Sequence, residues 1–477
     1  MASTITIGPL TRVEGHLDIE VTVETVNGVQ QVIDAKCSGT NFRGFETILK
    51  GRDPRDATHL TQRICGVCPV AHGMASALTL EAAFAMTAPT NGRIMRNLIL
   101  GSNFVQSHIL HFYHLAAPDY INTTGLLNMS PWTPRYITAD MVGGSTAVRL
   151  VDHYIQALAI RRKAHQMGAV FGAKLPCSPT MVGGGNTTAV TSAAISSFKK
   201  LLTEIRRFID TIMVPDVTLV ASAFAKYGAL GKGCGNLLAY GVFDLDAAGS
   251  KKLLARGRYT GGTLNAVDAA QIKEYVQYSR YTSATGLNPK VGETTPSFGK
   301  AGAYSWIKAP RYADKVHEVG PLARMWVNGD YRKGISVLDR LAARVLEAQK
   351  IANAMTTWVA QLTVGGAVTV AKAVPATATG IGLTEAARGA LGHWMDVSAS
   401  KIARYQVIAP TGWNCSPKDD LGQRGPLEQA LVGTPVADPA KPIEILRVVH
   451  SFDPCLACSV HMVRPDGRKE ADLVVPM

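Results

Sequence analysis

The alternation of apolar and polar residues near the start of the chain predicts β-strands. Residues 19–25 alternate with a period of two, and residues 29–35 supply a returning strand. Asn27-Gly28 between them is a typical hairpin turn. Residues 1–45 are therefore predicted to form a β-rich N-terminal segment.

Longer segments have the apolar spacing and alanine content that are typical of helices. These segments cover residues 56–91, 94–115, 147–172, 193–214 and 331–362. Most of them fall between residues 56 and 215, which are therefore predicted to be the helical core of the protein.

The remaining segments are less regular. Residues 215–330 are rich in glycine, tyrosine and turn signals and are predicted to be mixed. Strand-like pieces at 405–409 and 445–449 follow the last long helix. The fold class predicted from this order is α+β and predominantly helical, with a long central helix bundle and small β-rich N-terminal and peripheral segments. Because no repeat or low-complexity linker divides the chain, one intertwined body is expected.

Composition supports a large folded body. Apolar residues make up 47% of the 477 residues, which excludes global disorder. Charged residues make up only 18%, against a typical ~25%, so the surface is either small for the mass or partly covered by a partner.

Residues 1–20 have neither a basic segment nor a continuous apolar segment, so no secretory signal is predicted. No membrane span is predicted, because no run of ~18 apolar residues is uninterrupted.

The net charge of +13 raises the possibility of a nucleic-acid partner. The basic clusters at 161–163, 199–200 and 206–207 are short, dispersed along predicted helices and not interleaved with aromatic residues. No nucleic-acid-binding motif accompanies them. We therefore predict no nucleic-acid partner and interpret the charge as solvated helix faces or a surface complementary to a protein.

Two cysteine pairs are the strongest chemical signal. Cys65 and Cys68 form one C-x-x-C pair, and Cys455 and Cys458 form the other, and a histidine follows each pair closely. Thiolates at this spacing can bind one soft metal ion together. A helix N-terminus next to such a pair lowers the thiol pKa and favours the thiolate that ligates.

Spacing alone leaves more than one use for four thiolates. Structural zinc is the usual one, but zinc-binding pairs generally lie within ~15–20 residues of each other, whereas these pairs lie near opposite ends of the chain. Thioredoxin-like redox pairs require a βαβ setting that is missing here. Haem attachment requires a histidine directly after the second cysteine, where Pro69 and Ser459 stand. Structural zinc and a redox-active soft-metal site remain the main alternatives.

The pairs and their flanks, QRICGVCP at 62–69 and DPCLACSVH at 453–461, resemble the large subunit of nickel-iron hydrogenases. The resemblance extends nearly end to end. It includes RVEGH at 12–16, FRGFE at 42–46, GRDPRD at 51–56, SHILHFYH at 107–114, KAPRY at 308–312, EVGPLAR at 318–324, RGALGHW at 388–394 and GQRGP at 422–426. The chain is most similar to the branch with selenium-containing members, in which selenocysteine stands at the position of Cys455.

The resemblance implies the reversible heterolytic cleavage of H2 at a nickel–iron centre whose iron holds carbon monoxide and two cyanides. Cys65 and Cys455 would be terminal nickel ligands, and Cys68 and Cys458 would bridge nickel to iron. Glu14 would carry protons away from Cys455.

The resemblance also implies roles for the surroundings of the metals. Arg388 would be a fixed cation that donates to one cyanide, and Asp453 would orient it. Thr411 would hydrogen-bond the other cyanide, and His72 would donate to a bridging sulfur. Ser107 stands where many relatives have an aspartate near the arginine.

A second ion is implied at some distance from the nickel and iron. Glu46, His461 and a main-chain carbonyl near Val407 would hold a magnesium or iron ion. A set that combines a carboxylate with an imidazole suits a hard or borderline cation.

The resemblance implies partners and processing as well. The chain has no further set of cysteines for iron–sulfur clusters, so an iron–sulfur small subunit would receive the electrons in a heterodimer. A maturation endopeptidase would cut between His461 and Met462. Residues 1–461 would then be one body, in which residues 331–461 combine a helix with β and loop segments and carry the second cysteine pair. Residues 462–477 would be a removed extension.

The resemblance also suggests where the protein is located, and two rival functions remain. Export with the small subunit would place the protein in the periplasm or at the membrane, which it would contact only through a partner; the cytoplasm is the alternative. A hydrogen-sensing regulatory homologue and a structural four-cysteine zinc protein are the rival functions. Sensor-type relatives are generally made without the extension, which favours turnover over signalling.

Overall fold

A computed structural model describes residues 2–128 and 135–458 of the chain, the last of them by its backbone only. His461, Met462 and the extension 462–477 lie outside the described residues, so the sequence predictions for them are not tested by it.

The strands pair mainly with neighbours in sequence, in small antiparallel sheets. In chain order they are β1 (Ser3–Ile7), β2 (Leu17–Val26), β3 (Val29–Gly39), β4 (Met181–Val182), β5 (Gly185–Asn186), β6 (Leu237–Ala239), β7 (Val242–Asp244), β8 (Lys252–Leu254), β9 (Gly257–Thr260), β10 (Thr263–Asn265), β11 (Ile272–Tyr275), β12 (Ala309–Tyr312), β13 (Thr377–Ala386), β14 (Gly389–Ser398) and β15 (Lys401–Ile408).

The helices differ greatly in length. In chain order they are α1 (Phe45–Ile48), α2 (Ala57–Thr61), α3 (Pro69–Phe84), α4 (Thr90–Leu110), α5 (Gly144–Gly172), α6 (Ser192–Phe208), α7 (Val214–Ala223), α8 (Pro321–Asn328), α9 (Val337–Ala360), α10 (Pro410–Asn414), α11 (Pro426–Leu431) and α12 (Ile443–Phe452). Within the described ranges, no helix combines the length and the apolar character needed to cross a bilayer.

The N-terminal β segment has the predicted form. β1, β2 and β3 form an antiparallel sheet with β2 in the centre. Asn27 and Gly28 make the hairpin turn, with φ angles of 52° and 81°, and a tight hairpin turn requires such positive values. Alternate residues of β2 are buried, so the period of two in the sequence reflects one face packed on the core.

The long helices α4, α5, α6 and α9 pack against one another. Helices were predicted at all four places, but their ends differ from the prediction. α9 begins at Val337 rather than at residue 331, because the Ser336 side chain accepts a hydrogen bond from the Asp339 backbone and caps the helix there. α4 and α6 continue into π-helical turns, His111–Ala116 and Ile209–Met213.

Two predictions about secondary structure need correction. Residues 445–449 were predicted to be a strand but lie within α12, where residues 445–452 are all buried. A short apolar run without a polar face does not distinguish a buried helix from a buried strand. The helix predicted over 56–91 is interrupted, because α2 ends before the first cysteine pair and Pro69 begins α3 after it.

The sheet β13-β14-β15 packs directly on α3. Gly382 permits this close approach, because a Cβ atom there would lie 2.2 Å from the main-chain oxygen of Ala75. The sequence predicted only the last of these strands. The sheet brings the β13–β14 turn and β15 to the helix that begins beside the first cysteine pair, and so positions part of the site.

Candidate metal centre

The first cysteine pair lies in the turn that leads into α3. Cys65 is extended, with φ −138° and ψ 149°, and Cys68 directly precedes Pro69, the first residue of the helix. Proline is favoured at that position because its missing N–H would have no partner in the helix. The pair therefore lies at a helix N-terminus, where thiolates are favoured.

The second pair lies beyond the end of α12. Asp453 adopts the left-handed conformation (φ 57°) and ends the helix. Pro454 and Cys455 follow, and Leu456–Cys458 form a 3₁₀ turn. The two pairs thus come from a helix start and from a turn after a helix end.

Three thiols from opposite ends of the chain meet in one cluster. The Sγ atoms of Cys65, Cys68 and Cys455 all lie within 4.8 Å of one another, and those of Cys65 and Cys455 are 3.2 Å apart. All three residues are buried. The backbone N–H groups of Val67 and Cys68 donate to Sγ of Cys65, at 3.2 and 3.4 Å. Such a buried sulfur set suits a soft metal. The side chain of Cys458 lies outside the described part of the structure.

The loop that carries Glu14 pairs with the second cysteine segment. The Leu456 backbone N–H donates to the Glu14 main-chain oxygen at 2.6 Å, and the Ala457 N–H donates to the Glu14 carboxylate at 2.9 Å. The Cys455 thiol donates to the same carboxylate oxygen, with sulfur and oxygen 3.2 Å apart. Gly15, with φ +80°, allows this pairing, since a Cβ there would lie 2.6 Å from the Ala457 nitrogen.

The environment of Glu14 adjusts its acidity. Burial, followed by the charge on Cys65, raises the pKa of the Glu14 carboxyl to about 7, against the lowering effects of the Cys455 hydrogen bond and of Arg388. A carboxyl group with a pKa near neutrality can both accept and release a proton efficiently.

Arg388 lies buried in the turn between β13 and β14. Its Nη2 is 2.9 Å from Oδ1 of Asp453, and its Nη1 donates to the Ser107 hydroxyl at 3.3 Å. Burial alone would lower the pKa of this guanidinium, but Asp453 and the nearby thiols raise it well above its usual value. Arg388 is therefore a permanent cation beside the thiol cluster.

Thr411, near the start of α10, has a contact that the sequence did not predict. Its hydroxyl oxygen accepts the Cys455 backbone N–H at 2.8 Å. The threonine thereby fixes the backbone of a cysteine in the cluster, and its hydroxyl hydrogen stays available to another acceptor.

His72 lies one turn inside α3 and is fully buried. Its Nδ1 is 3.2 Å from Nε2 of His393, whereas its Nε2 has no hydrogen-bond partner among the described residues. Burial lowers the pKa of His72 to about 4, so the ring is neutral at physiological pH. His393 did not figure in the sequence analysis as an individual residue, only as part of the RGALGHW motif.

Glu46 and Val407 are in contact, through the Val407 N–H rather than through the main-chain carbonyl that the resemblance assigns to the second metal site. Oε1 of Glu46 accepts the Val407 backbone N–H at 2.9 Å, and the Thr294 hydroxyl donates to Oε2. Glu274 and Lys308 also line the adjoining cavity of about 80 Å³. His461, the third expected ligand, lies outside the described residues.

A buried ionic network ties the Glu14 loop to α12. The Asp119 carboxylate contacts the Arg12 guanidinium and Nδ1 of His450, the latter at 2.6 Å. Nε2 of His450 in turn lies 3.0 Å from the Thr11 main-chain oxygen. Burial alone would raise the pKa of Asp119, but Arg12 and His450 outweigh it and lower the pKa to about 2.

We expect Asp119→Asn to lower the free energy of unfolding by ~3 kcal/mol, because it removes the buried carboxylate that pairs with the partly buried Arg12 guanidinium and contacts His450. Since the folded-state pKa lies below the unfolded value, this contribution is present above pH ~4 and is lost as the pH falls through about 2. Chemical denaturation of the parent and the variant measures the difference. The matched control is Asp152→Asn, an exposed carboxylate on α5; an equal change in both variants would contradict the role of the network.

The comparisons with known proteins agree over nearly the whole chain. A family model described as Nickel-dependent hydrogenase matches residues 43–143 and 128–461, and one described as HoxL-like matches residues 4–33. The periplasmic [NiFeSe] hydrogenase large subunit of Desulfomicrobium baculatum is 42% identical, over 98% of this chain and 96% of that protein. The Hydrogenase-2 large chain of Escherichia coli (strain K12) is 31% identical, over 100% of both chains.

Solved structures agree with the fold. The Ni-Fe-Se hydrogenase from D. vulgaris Hildenborough in the reduced state superposes with a TM-score of 0.92 at 43% identity, covering 97% of this chain and 100% of that one. The H2-activated [NiFeSe]-hydrogenase of Dm. baculatum also gives a TM-score of 0.92, at 42% identity, with the same coverage.

The fold and the buried thiol cluster, with a carboxylate and a cation beside it, define the catalytic subunit of a metal-dependent oxidoreductase. The chain belongs to the nickel-dependent hydrogenase family. It is a catalytic large subunit, acts on H2, and pairs with a small subunit in a heterodimer. Family membership thus decides between the alternatives that cysteine spacing left open, in favour of the redox-active metal site.

Proposed function

We propose that Cys65, Cys68, Cys455 and Cys458 hold a nickel–iron centre at which H2 is cleaved heterolytically. Cys65 and Cys455 are assigned to nickel, and Cys68 and Cys458 are assigned as bridges to an iron that also holds carbon monoxide and two cyanides. When bound, this centre supplies the position where H2 is polarised and the capacity to take up its electrons. The observation that carries the proposal is the convergence of three buried thiols from both ends of the chain.

The donor set fits this centre. Sulfur ligands favour soft transition metals, and the described thiols of the cluster are buried and so closed to solvent. Nε of Arg388 has no hydrogen-bond partner among the described residues. It is therefore suited to donate to an anionic ligand such as cyanide. The Thr411 hydroxyl hydrogen suits the second cyanide.

Glu14 is the proposed first proton acceptor beyond Cys455. The thiol of Cys455 donates directly to its carboxylate, and the Ala457 N–H holds that oxygen in place. A proton released onto the Cys455 sulfur therefore has an acceptor within hydrogen-bond distance, which is the geometric requirement for general acid–base transfer.

Electrons leave through the small subunit, which we propose carries iron–sulfur clusters. Among the described residues, the thiol cluster is the one group of three or more histidine, cysteine or acidic side chains close enough together to bind a metal.

The relative from Dm. baculatum is named periplasmic, and we propose periplasmic or membrane-associated location by export with the small subunit, with the cytoplasm as the alternative. Any contact with a membrane is through a partner.

A magnesium or iron ion is proposed at the second site. Glu46, the carbonyl near Val407 and His461 are its ligands in this proposal. The adjoining cavity, which Glu46, Glu274 and Val407 help to line, supports it, because carboxylate and carbonyl oxygens suit a hard cation.

The mature subunit is expected to end at His461. Residues 1–461 form a single body in this proposal, around the bundle of α4, α5, α6 and α9, and an endopeptidase removes residues 462–477. The match to the family ends at residue 461, which supports this boundary. Intact mass spectrometry of the active heterodimer measures it, and an active subunit whose mass includes Met477 would overturn the proposal.

Elemental analysis and infrared spectroscopy of the purified heterodimer test the metal assignment. We expect one nickel per heterodimer and iron in excess of nickel, because the iron–sulfur clusters of the small subunit also contain iron, together with infrared bands of metal-bound carbon monoxide and cyanide. Zinc in place of nickel, without those bands, would instead support a structural four-cysteine site.

A further inference from the structure

Three buried side chains lead away from the thiol cluster. Nδ1 of His72 lies 3.2 Å from Nε2 of His393, and Nδ1 of His393 lies 2.9 Å from the hydroxyl of Tyr405. All three residues are buried. The row links α3, which begins at the first cysteine pair, to the neighbouring strands β14 and β15.

Helix α3 also contacts the middle of this row. The Thr79 side-chain oxygen lies 3.4 Å from the main-chain oxygen of His393. Thr79 follows His72 by seven residues, which puts both on one face of a helix. The helix therefore supplies the first member of the row and contacts the backbone of the second, while the sheet supplies His393 and Tyr405.

The members of the row are neutral. Burial lowers the pKa of His393 well below its usual value, and a proton on the neighbouring His72 would lower it further. Burial raises the pKa of the Tyr405 hydroxyl. A neutral imidazole has one N–H and one bare nitrogen. Each hydrogen bond in the row therefore has a direction, and the direction of one bond dictates that of the next.

The thiol end sets that direction. Nε2 of His72 is buried without a hydrogen-bond partner among the described residues, and His72 lies one helical turn after Cys68 in the chain. Metal-bound cysteine sulfurs are acceptors, so the favourable arrangement puts the N–H on Nε2. Nδ1 of His72 is then bare and accepts from His393, whose own Nδ1 accepts from the Tyr405 hydroxyl.

We propose that Tyr405 and His393 are positioning residues that hold His72 in the tautomer with its proton on Nε2, directed to a sulfur of the metal centre. This inference rests on the metal ligation proposed above. Hydrogen bonds to cysteine sulfurs tune the reduction potential of the metals they bind. The row therefore adjusts the potential of the centre without touching a ligand itself.

Four variants of the heterodimer test the proposal. Tyr405→Phe removes only the hydroxyl, and His393→Leu removes the donor to His72. His393→Gln retains an amide donor toward His72 and is the conservative rescue. Tyr331→Phe is the matched control, because it deletes another buried tyrosine hydroxyl, bonded to Asp339 at 2.6 Å, outside the row.

Two measurements are made on each variant after nickel and iron analysis. Neutron crystallography of deuterium-exchanged protein locates the deuteron on His72, and infrared-monitored titration gives the midpoint potential of the centre. We expect the deuteron on Nε2 in the parent, His393→Gln and Tyr331→Phe. In Tyr405→Phe and His393→Leu we expect deuteron density on Nδ1 and a more negative midpoint potential.

The outcomes separate this inference from the function on which it rests. A deuteron on Nδ1 of His72 in the parent would overturn the proposal, as would parental tautomer and potential in Tyr405→Phe and His393→Leu. An equal shift of the midpoint potential in Tyr331→Phe would show that loss of any buried tyrosine hydroxyl has this effect, and would also refute the proposal. A parent that contains no nickel would instead refute the proposed metal ligation.

Discussion

Replacing either Cys65 or Cys455 with serine is expected to abolish nickel binding and hydrogenase activity. The two residues come from opposite ends of the chain, yet their sulfurs are 3.2 Å apart, so each change removes one donor from the same cluster. Loss of an outer partner of a metal ligand typically costs 10–100-fold in affinity or activity, and loss of a ligand itself should exceed that range. Metal analysis and H2 oxidation assays measure the two effects.

The control for this experiment is Cys177→Ser. Cys177 is half-buried and its thiol contacts the Gln62 main-chain oxygen at 3.8 Å, outside the thiol cluster. We expect parental nickel content and activity in this variant. Parental nickel content in Cys455→Ser would contradict the assignment. Serine variants of Cys68 and Cys458 should also lose nickel, and parental nickel content in either would contradict it as well.

Glu14→Gln is expected to lower activity by ~10²–10⁴-fold while nickel and iron remain bound. The factor is that of one general acid–base group. In the parent protein the Ala457 N–H donates to the Glu14 carboxylate at 2.9 Å. Glutamine has the shape of glutamate and keeps an oxygen for this N–H, so the loop should keep its place. It cannot take the proton that the Cys455 thiol now offers. Exchange between H2 and D2O, with metal analysis on the same sample, separates proton transfer from metal loss.

A carboxylate on the protein surface provides the control for Glu14. Glu20 pairs with Lys36 on the N-terminal sheet at 2.6 Å, and both side chains are partly exposed. Glu20→Gln should leave isotope exchange unchanged. Parental exchange in Glu14→Gln would remove this residue from the proton route.

Local patterns in the sequence predicted a strand with one buried face and a turn that two residues define. β2 has one buried face, so its residues alternate, and the Asn27-Gly28 turn could be recognised from two residues. α12 was mistaken for a strand because its neighbours cover it on all sides. β14 is buried on both faces over most of its length, and such a strand has no alternation to recognise.

The candidate site was predicted through resemblance far more than through local pattern. Two C-x-x-C pairs indicate thiolate chemistry, but nothing in their spacing predicts that their sulfurs meet. The row from His72 to Tyr405 escaped the sequence analysis for a related reason. His393 and Tyr405 lie on adjacent strands and face a helix more than 300 residues earlier, and a lone buried histidine is unremarkable in a sequence.

Several residues in the family-like motifs are structural in this protein. Arg324, in the EVGPLAR segment, forms buried ion pairs with Glu347 and Glu385, and Arg311, in the KAPRY segment, pairs with Asp419. A buried charge requires such a partner, and loss of either member is costly. Membership of a motif therefore does not by itself make a residue catalytic.

The most direct test of the account is anomalous diffraction from crystals of the heterodimer, with data collected on both sides of the nickel and iron absorption edges. We expect one nickel peak and one iron peak side by side, enclosed by the sulfurs of Cys65, Cys68, Cys455 and Cys458. A cluster without a nickel or iron peak, or metal ions bound by only one of the two cysteine pairs, would contradict it.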